Sequence, residues 1–463
     1  MSDALAEHLL GLGLKAGDRV SFMLGNGPEI VCCYLAAAKA RLVAVPLSRR
    51  VTESELRQIV HDAGSRWILF APEHADRMQA AGLDRDVWLE PLTGLDQWPA
   101  ARSQREDPSP GDAFCAMFTG GTTGVPKAAV QTHAAWASCV EDVIEQWSLT
   151  AEDRHVVVLP MSHVSWFTTA AHLRAGATIW LIDRWDPDVV LDTAIAQRAT
   201  TINMIPTMLG DLVAAAERRD ALDLELRLLT VAGSALPEAV FERALAVFGP
   251  IIGNIYGMTE TSGPVTYLLP HDMTGSRRTS AGRPGRRVDV AILDDDGRPV
   301  ADHQVGEVAL AGAQITTEYL GRPEETARAV RDGRLLTGDI GRIDDDGFLY
   351  ILDRKKDMIK SGGYNVYPKE IEEALYVHPD IVEAAVVAAP DPRWIEAVHA
   401  FVVTRPGVPL DHDELDRYCR ERLAGFKVPK QFHEIDKIPR TEIGKFDKKE
   451  LRARLSVTAS LDQ

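Results

Sequence analysis

The chain has only five cysteines (Cys32, Cys33, Cys115, Cys139 and Cys419), and no C-x-x-C pair among them. An odd count on a long acidic chain argues against a disulfide framework and reads as reduced thiols filling the core. None of the 13 histidines falls in H-x-x-x-H or H-E-x-x-H spacing, so a zinc site is not expected. Long apolar runs are missing as well. No window reaches the roughly 18 apolar residues of a membrane span, and Met-Ser-Asp-Ala-Leu-Ala-Glu-His offers no basic stretch ahead of an apolar block. The expected place is the cytoplasm. Positive charge is also in deficit: 51 Lys and Arg against 68 Asp and Glu leave a net charge of −17. That balance excludes broad electrostatic binding to nucleic acid or anionic lipid, so a polyanionic ligand has to meet a local basic site. No internal repeat or low-complexity tract is found.

What is present is ordinary globular material, 463 residues with 45% hydrophobic and 26% charged content. The length exceeds what one core serves, so two or more domains are expected. From residue 17 short apolar runs alternate with helical patterns: a strand over 19–23, a helix over 28–40, a strand over 42–46 and a helix over 53–63. Buried strands follow over 155–159, 177–182, 201–204 and 228–232, with helices over 188–196 and 237–247. Strands spaced by helices in this way predict parallel sheets with helical crossovers. After about residue 285 the texture becomes short strands at acidic turns, Asp294-Asp-Asp-Gly297 and Asp344-Asp-Asp-Gly347. Neither carries the calcium-loop ladder, so both read as hairpin turns. A last segment reads helix, strand, helix over 369–377, 382–388 and 415–423. The best cut falls near residue 354, giving domains 1–354 and 355–463.

The densest motif is Thr119-Gly-Gly-Thr-Thr-Gly-Val-Pro-Lys127. Glycines let backbone N–H groups turn toward an anion, hydroxyls add donors and the lysine adds a compact charge. It is not a Walker A loop, because Val125 and Pro126 separate Gly124 from Lys127 and Ala128 follows. On spacing alone a phosphate cradle and a polar surface turn both stay open. Further motifs lie along the chain: Pro160-Met-Ser-His163, Ile205-Pro-Thr207, Gly233-Ser-Ala235, Tyr256-Gly-Met-Thr-Glu260, Thr337-Gly-Asp339, Asp353-Arg354 with Lys356, Lys360-Ser-Gly-Gly-Tyr-Asn-Val-Tyr-Pro368 and Thr441-Glu-Ile-Gly-Lys445.

In order and spacing, from about residue 17 to 450, these motifs resemble those of the adenylate-forming superfamily. It includes acyl- and aryl-CoA ligases, firefly luciferase and the adenylation domains of nonribosomal peptide synthetases. The resemblance implies an α/β fold: a large N-terminal domain of layered sheets and helices with a small β-barrel-like part, then a small mobile α+β C-terminal domain. It also implies the reaction. A carboxylate attacks the α-phosphate of ATP, expels pyrophosphate and becomes an acyl-adenylate, from which a thiol displaces AMP. The first step brings negative groups together and calls for positive charge and Mg²⁺ at the phosphates.

By the same resemblance Thr119, Gly120, Gly121, Thr122, Thr123, Gly124 and Lys127 would cradle the β- and γ-phosphates, Thr259 would contact the α-phosphate and Glu260 would hold Mg²⁺. Asp339, with Arg354, would bind the ribose. Tyr256 would stack on adenine, with Gly257, Gly233 and Ser234 also binding the nucleotide. Lys445 is the expected catalytic residue of adenylation, Lys356 the hinge, and Lys360, Gly362 and Gly363 the face met by the thiol. His163, Val164, Ser165, Trp166 and Phe167, with Gly233 and Ser234 farther on, would line the acid pocket. Amino-acid-activating relatives carry aspartate where this chain has Val164, and an unpaired ammonium in an apolar pocket is costly. The expected substrate is therefore an aromatic or modest aliphatic carboxylic acid. The expected acceptor is CoA, with a carrier-protein phosphopantetheine thiol acting in trans, or a non-thiol nucleophile such as an amine, as alternatives. A silent nucleotide-binding descendant is the competing class, and intact Lys445, Glu260 and Asp339 speak against it. Relative to the family the chain starts inside the first helix, and a partner or a homo-oligomer contact is expected to cover that region.

Overall fold

The computed structural model describes residues 1–83, 87–95, 106–119, 126–163, 165–316, 318–440 and 446–461, with side chains described only to residue 455 in the last helix. The chain divides into two compact units. One comprises Met1–Ala291, Ala309–Leu336 and Ile343–Tyr350, the other Ile292–Val308, Thr337–Arg342 and Ile351–Gln463.

In the first unit the expected parallel sheets form, and there are two of them. The first runs Trp88–Pro91, Trp67–Phe70, Arg19–Met23, Val43–Pro46, Ala113–Thr119, Lys127–Thr132. All its neighbours are parallel except the last pair. The second runs Arg283–Pro284, Gly263–Leu268, Ile252–Met258, Leu228–Val231, Thr201–Met204, Arg154–Val157, Thr178–Leu181. It is parallel from Ile252–Met258 onward and antiparallel at its other end. Each sheet thus closes its parallel run with an antiparallel hairpin, and each hairpin carries one of the motifs singled out in the sequence.

Helices form where the pattern and the caps agree. Thr52 accepts the N–H of Glu55 while Glu55 reaches back to the Thr52 N–H, a capping box that starts Glu53–Ala63, and Gly64 at φ 59° ends it. Asp186 caps Pro187–Ala196 by accepting from Asp188 and Val189. The strands and helices read from the pattern between residues 19 and 247 occur within two residues of the expected bounds. Both acidic turns are tight: the N–H of Gly297 donates to Asp294 O and that of Gly347 to Asp344 O, with each glycine at φ above 80°. Four of the cysteines sit in the main core of this unit and Cys419 in that of the other.

In the second unit the helix, strand and helix expected over the last segment form as Pro368–Tyr376, Ile381–Asp391 and His412–Arg422, and four further strands join them. Its sheet has five strands, Tyr364–Val366, Ile359–Ser361, Ile395–Thr404 and Ile381–Asp391 in order, with Gln431–Glu434 parallel to Ile395–Thr404. The long strands Ile381–Asp391 and Ile395–Thr404 pair along nearly their whole length. Their connection is three residues, short enough that one strand leads directly into its partner, and the apolar run from Ala397 to Val403 packs in the core. Helices Pro368–Tyr376, His412–Arg422 and Lys448–Leu461 complete it. Among the described residues no helix is long and apolar enough to cross a membrane.

Candidate active site

Thr119 and Lys127 are register partners at the end of the antiparallel hairpin of the first sheet. The Thr119 hydroxyl donates to Lys127 O at 3.5 Å. The two ends of the Gly/Thr run are thereby held side by side at the carboxyl end of a parallel strand, where open α/β sheets bind their ligands. Gly120, Gly121, Thr122, Thr123 and Gly124 lie outside the described residues.

The second hairpin supplies Glu260. At Tyr256 and Gly257 the register slips, and a Cβ on Gly257 would stand 2.2 Å from the Gly263 carbonyl oxygen. Only glycine fits that approach. A single 3₁₀ turn, Thr259–Thr261, follows and is closed by Ser262 at φ 58°. The Thr261 hydroxyl donates to Gly263 O at 2.6 Å. Gln131, fully buried on the first hairpin, donates from Nε2 to Thr259 O at 2.5 Å while its Oε1 accepts from Trp136 Nε1 at 2.9 Å. The two sheets are therefore tied together at the motif ends.

Tyr319 completes the cluster. Its backbone bridges to Ala129, its hydroxyl donates to Glu260 Oε1 at 2.8 Å, and Lys127 Nζ lies 5.3 Å from its ring centroid. Burial, then the Glu260 carboxylate, push the Tyr319 phenol well above its usual range, so it stays a donor. Glu260 is 7% exposed, and its Oε2 has no hydrogen-bond donor among the described residues. A buried carboxylate with one oxygen fixed and the other open fits a hard divalent cation. Beside it Thr316 donates its N–H to Glu260 O at 2.7 Å, and the Thr316 hydroxyl is buried without a partner among the described residues.

The Pro160-Met-Ser-His163 segment is held by Asn26. Its amide donates to Leu159 O and Ile182 O and its Oδ1 accepts from Met161 N, while Tyr34 donates to Met161 O at 2.8 Å. Burial, with Arg50 adding to it, lowers the pKa of His163, which favours the neutral imidazole. Trp166 is in the core, 3% exposed and stacked on Tyr34 at 4.3 Å. Val164 lies outside the described residues. Gly233 turns at φ 91°, and Ser234 beside it is exposed. Tyr256 is half-buried on the strand Ile252–Met258.

In the second unit Asp339 and Arg354 come together, with Nε 2.6 Å from Oδ1. Asp339 is 2% exposed, and its N–H donates to the Thr337 hydroxyl, which in turn donates to Val308 O. Lys356 sits exposed in the turn after Arg354. Lys360 is exposed on Ile359–Ser361, and Gly362 and Gly363, both at positive φ, form the two-residue turn to Tyr364–Val366. A Cβ on Gly362 would meet the Trp394 ring at 2.8 Å. Lys445 lies outside the described residues.

Sequence reasoning missed Tyr319, Gln131, Thr316 and Asn26. Tyr319, Gln131 and Thr316 stand in no glycine-rich or charged motif, Asn26 lies between Gly25 and Gly27, and each acts through a partner distant in sequence.

Residues 1–320 match the AMP-binding enzyme family, and residues 370–445 match the AMP-binding enzyme C-terminal domain. The chain belongs to the AMP-binding enzyme family. As a member it is an ATP-dependent, AMP-forming ligase of the adenylate-forming superfamily, with the expected α/β fold. A feruloyl-CoA synthase from Amycolatopsis sp is 36% identical to this AMP-binding enzyme over 456 residues, 97% of this chain and 91% of its own. ScoC of Streptomyces coeruleorubidus, a fatty acid–[acyl-carrier-protein] ligase, is 34% identical over 470 residues, 98% of this chain and 90% of its own. ATP-bound MatB from Rhodopseudomonas palustris superposes with a TM-score of 0.90 at 29% identity, covering 98% of this chain and 92% of that one.

Proposed function

We propose that this AMP-binding enzyme activates an aromatic or modest aliphatic carboxylic acid as its acyl-adenylate and passes the acyl group to CoA, in the cytoplasm. The observation that carries the reading is the convergence of Lys127, Tyr319 and Glu260 beside the Thr119–Lys127 hairpin end. In this reading Thr119 and Lys127, with the Gly/Thr run between them, bind the β- and γ-phosphates, and Thr259 meets the α-phosphate. Glu260 would hold Mg²⁺, which when bound neutralises phosphate charge. Asp339 accepts from the ribose hydroxyls, work suited to an acceptor-only carboxylate, and Arg354 donates beside it. Tyr256 and Gly257, with Gly233 and Ser234, border the adenine.

Lys445 brings a compact ammonium to the charge that builds on the α-phosphate and the incoming carboxylate. The N-terminal domain, to about residue 354, binds ATP and acid. The C-terminal domain turns about Lys356 and presents Lys360, Gly362 and Gly363 to the thiol. His163, neutral at physiological pH, and Val164 flank the acid. The feruloyl-CoA synthase relative supports an aromatic acid, and ScoC keeps a carrier protein as the second acceptor to test.

Pyrophosphate release across a panel of benzoates, cinnamates and medium-chain acids, with and without CoA, tests the reading. Thioester formed with an aromatic acid and CoA is the expected result. Lys445→Ala should cost adenylation heavily while ATP still binds. Release from no acid would refute the reading, and release without thioester would point to another acceptor.

A further inference from the structure

The segment that carries Lys445 is flanked by described residues on both sides, and both flanks are fastened within the second unit. Ahead of it Arg440 forms a backbone bridge with Phe446, lays its guanidinium over the Phe446 ring at 4.8 Å and pairs with Glu383 at 2.5 Å. Behind it the helix Lys448–Leu461 begins. Lys448 and Arg452 stand one turn apart on that helix, so they share a face. Their partners come from different places. Lys448 Nζ is 2.7 Å from Glu372 Oε1, on Pro368–Tyr376. Arg452 Nη2 is 2.5 Å from Asp357 Oδ1, in the turn that holds Lys356.

The first pair is strongly buried, with side chains 13% and 16% exposed, and Glu372 Oε1 also accepts the Val386 N–H at 2.8 Å. Such a pair is a poor way to add stability alone. Its desolvation offsets most of the attraction, and an apolar pair of similar volume would hold a helix equally well. What the ionic form adds is a fixed register and direction. The helix already has apolar anchoring, since Leu451 is fully buried with Ile438 and Phe401. The two charge pairs therefore serve something besides attachment.

We propose that Glu372–Lys448 and Asp357–Arg452 form a strut that links the turn at Lys356 to the last helix, which begins three residues after Lys445 in sequence, making these four positioning residues for adenylation. The inference rests on the reading of Lys445 given above. When the turn changes conformation the last helix follows it.

The test uses Asp357→Asn and Arg452→Gln, with Glu372→Gln/Lys448→Met as a second design, in the full chain. Adenylation is read as ATP–pyrophosphate exchange, thioester formation is read from acyl-adenylate supplied to the enzyme, and thermal midpoints report folding. Exchange kcat is expected to fall tenfold or more with ATP KM and thioester formation changed less than twofold, and Asp357→Arg/Arg452→Asp should recover much of the loss. Unchanged exchange in folded variants, or equal loss in both half-reactions, would overturn the strut. Lys445→Ala run alongside separates the two ideas. If it keeps exchange, the Lys445 reading fails and the strut with it. If it abolishes exchange while the strut variants keep theirs, the strut alone fails.

Discussion

Replacing Tyr319 by phenylalanine removes one hydroxyl and leaves the ring under Lys127 in place. The lost contact is the 2.8 Å hydrogen bond to Glu260 Oε1. Hydrogen bonds to a charged group contribute roughly 1.5–3 kcal/mol. At about 1.4 kcal/mol per decade this corresponds to a 10- to 100-fold effect. It should be read where the carboxylate acts. With Oε1 released, Glu260 can turn on its χ angles, and in the proposed role Oε2 is no longer fixed for the metal. The assay is ATP–pyrophosphate exchange as a function of Mg²⁺ concentration, with Mn²⁺ binding to the protein–ATP complex followed by electron paramagnetic resonance as a readout free of turnover. Half-saturation by the metal should rise about 10- to 100-fold in both, with the thermal midpoint little changed because the ring stays packed. Equal metal dependence in wild type and Tyr319→Phe would refute the reasoning, since Glu260 would then owe nothing to its donor.

Other outcomes follow from the same geometry. Asp339→Asn should raise the ATP KM by about 10- to 100-fold, by the same hydrogen-bond arithmetic, with the acid KM unaffected; steady-state kinetics decide it. Gly257→Ala places a Cβ 2.2 Å from Gly263 O. It should lower the unfolding midpoint by an amount matching about 1–3 kcal/mol and abolish exchange, as differential scanning calorimetry and kinetics would show. His172 is fully buried, and burial, more than its partners, pushes it down to about 4 from 6.5. Its folded pKa is depressed, so the stability it contributes is whole above pH 6.5 and is lost as pH falls toward about 4. Urea titrations of the wild type should lose about 2 kcal/mol from this group between pH 7 and 5, and His172→Gln should lose correspondingly less.

The parallel sheets were legible because short buried apolar strands, such as Val43–Pro46, alternate with capped amphipathic helices, and both signals are local. The strand Ile395–Thr404 was not. Its apolar residues run without a clean alternation, and its identity as a strand comes from the register with Ile381–Asp391. The site divides in the same way. Thr119, Lys127 and Glu260 stand in runs whose composition already speaks of phosphate or metal. Tyr319 sits in Thr-Glu-Tyr-Leu, and nothing there foretells that an isolated bridge to Ala129 will set its hydroxyl on Glu260. Asn26 is the same case, a lone amide whose role comes from three backbone groups far along the chain. Trp166, expected at the acid pocket, stacks on Tyr34 within the core, a contact its neighbours in sequence do not foretell.

The backbone crowding at Gly257 bears on how such an enzyme can diversify. A turn that admits no side chain, with Thr259 held by Gln131 of the other hairpin and Glu260 held by Tyr319, leaves this end of the site almost no room to drift. Change in what the enzyme accepts must then accumulate elsewhere, around His163 and the exposed loop at Ser234. Anyone seeking to retarget it should randomise those surfaces and leave the two hairpins intact.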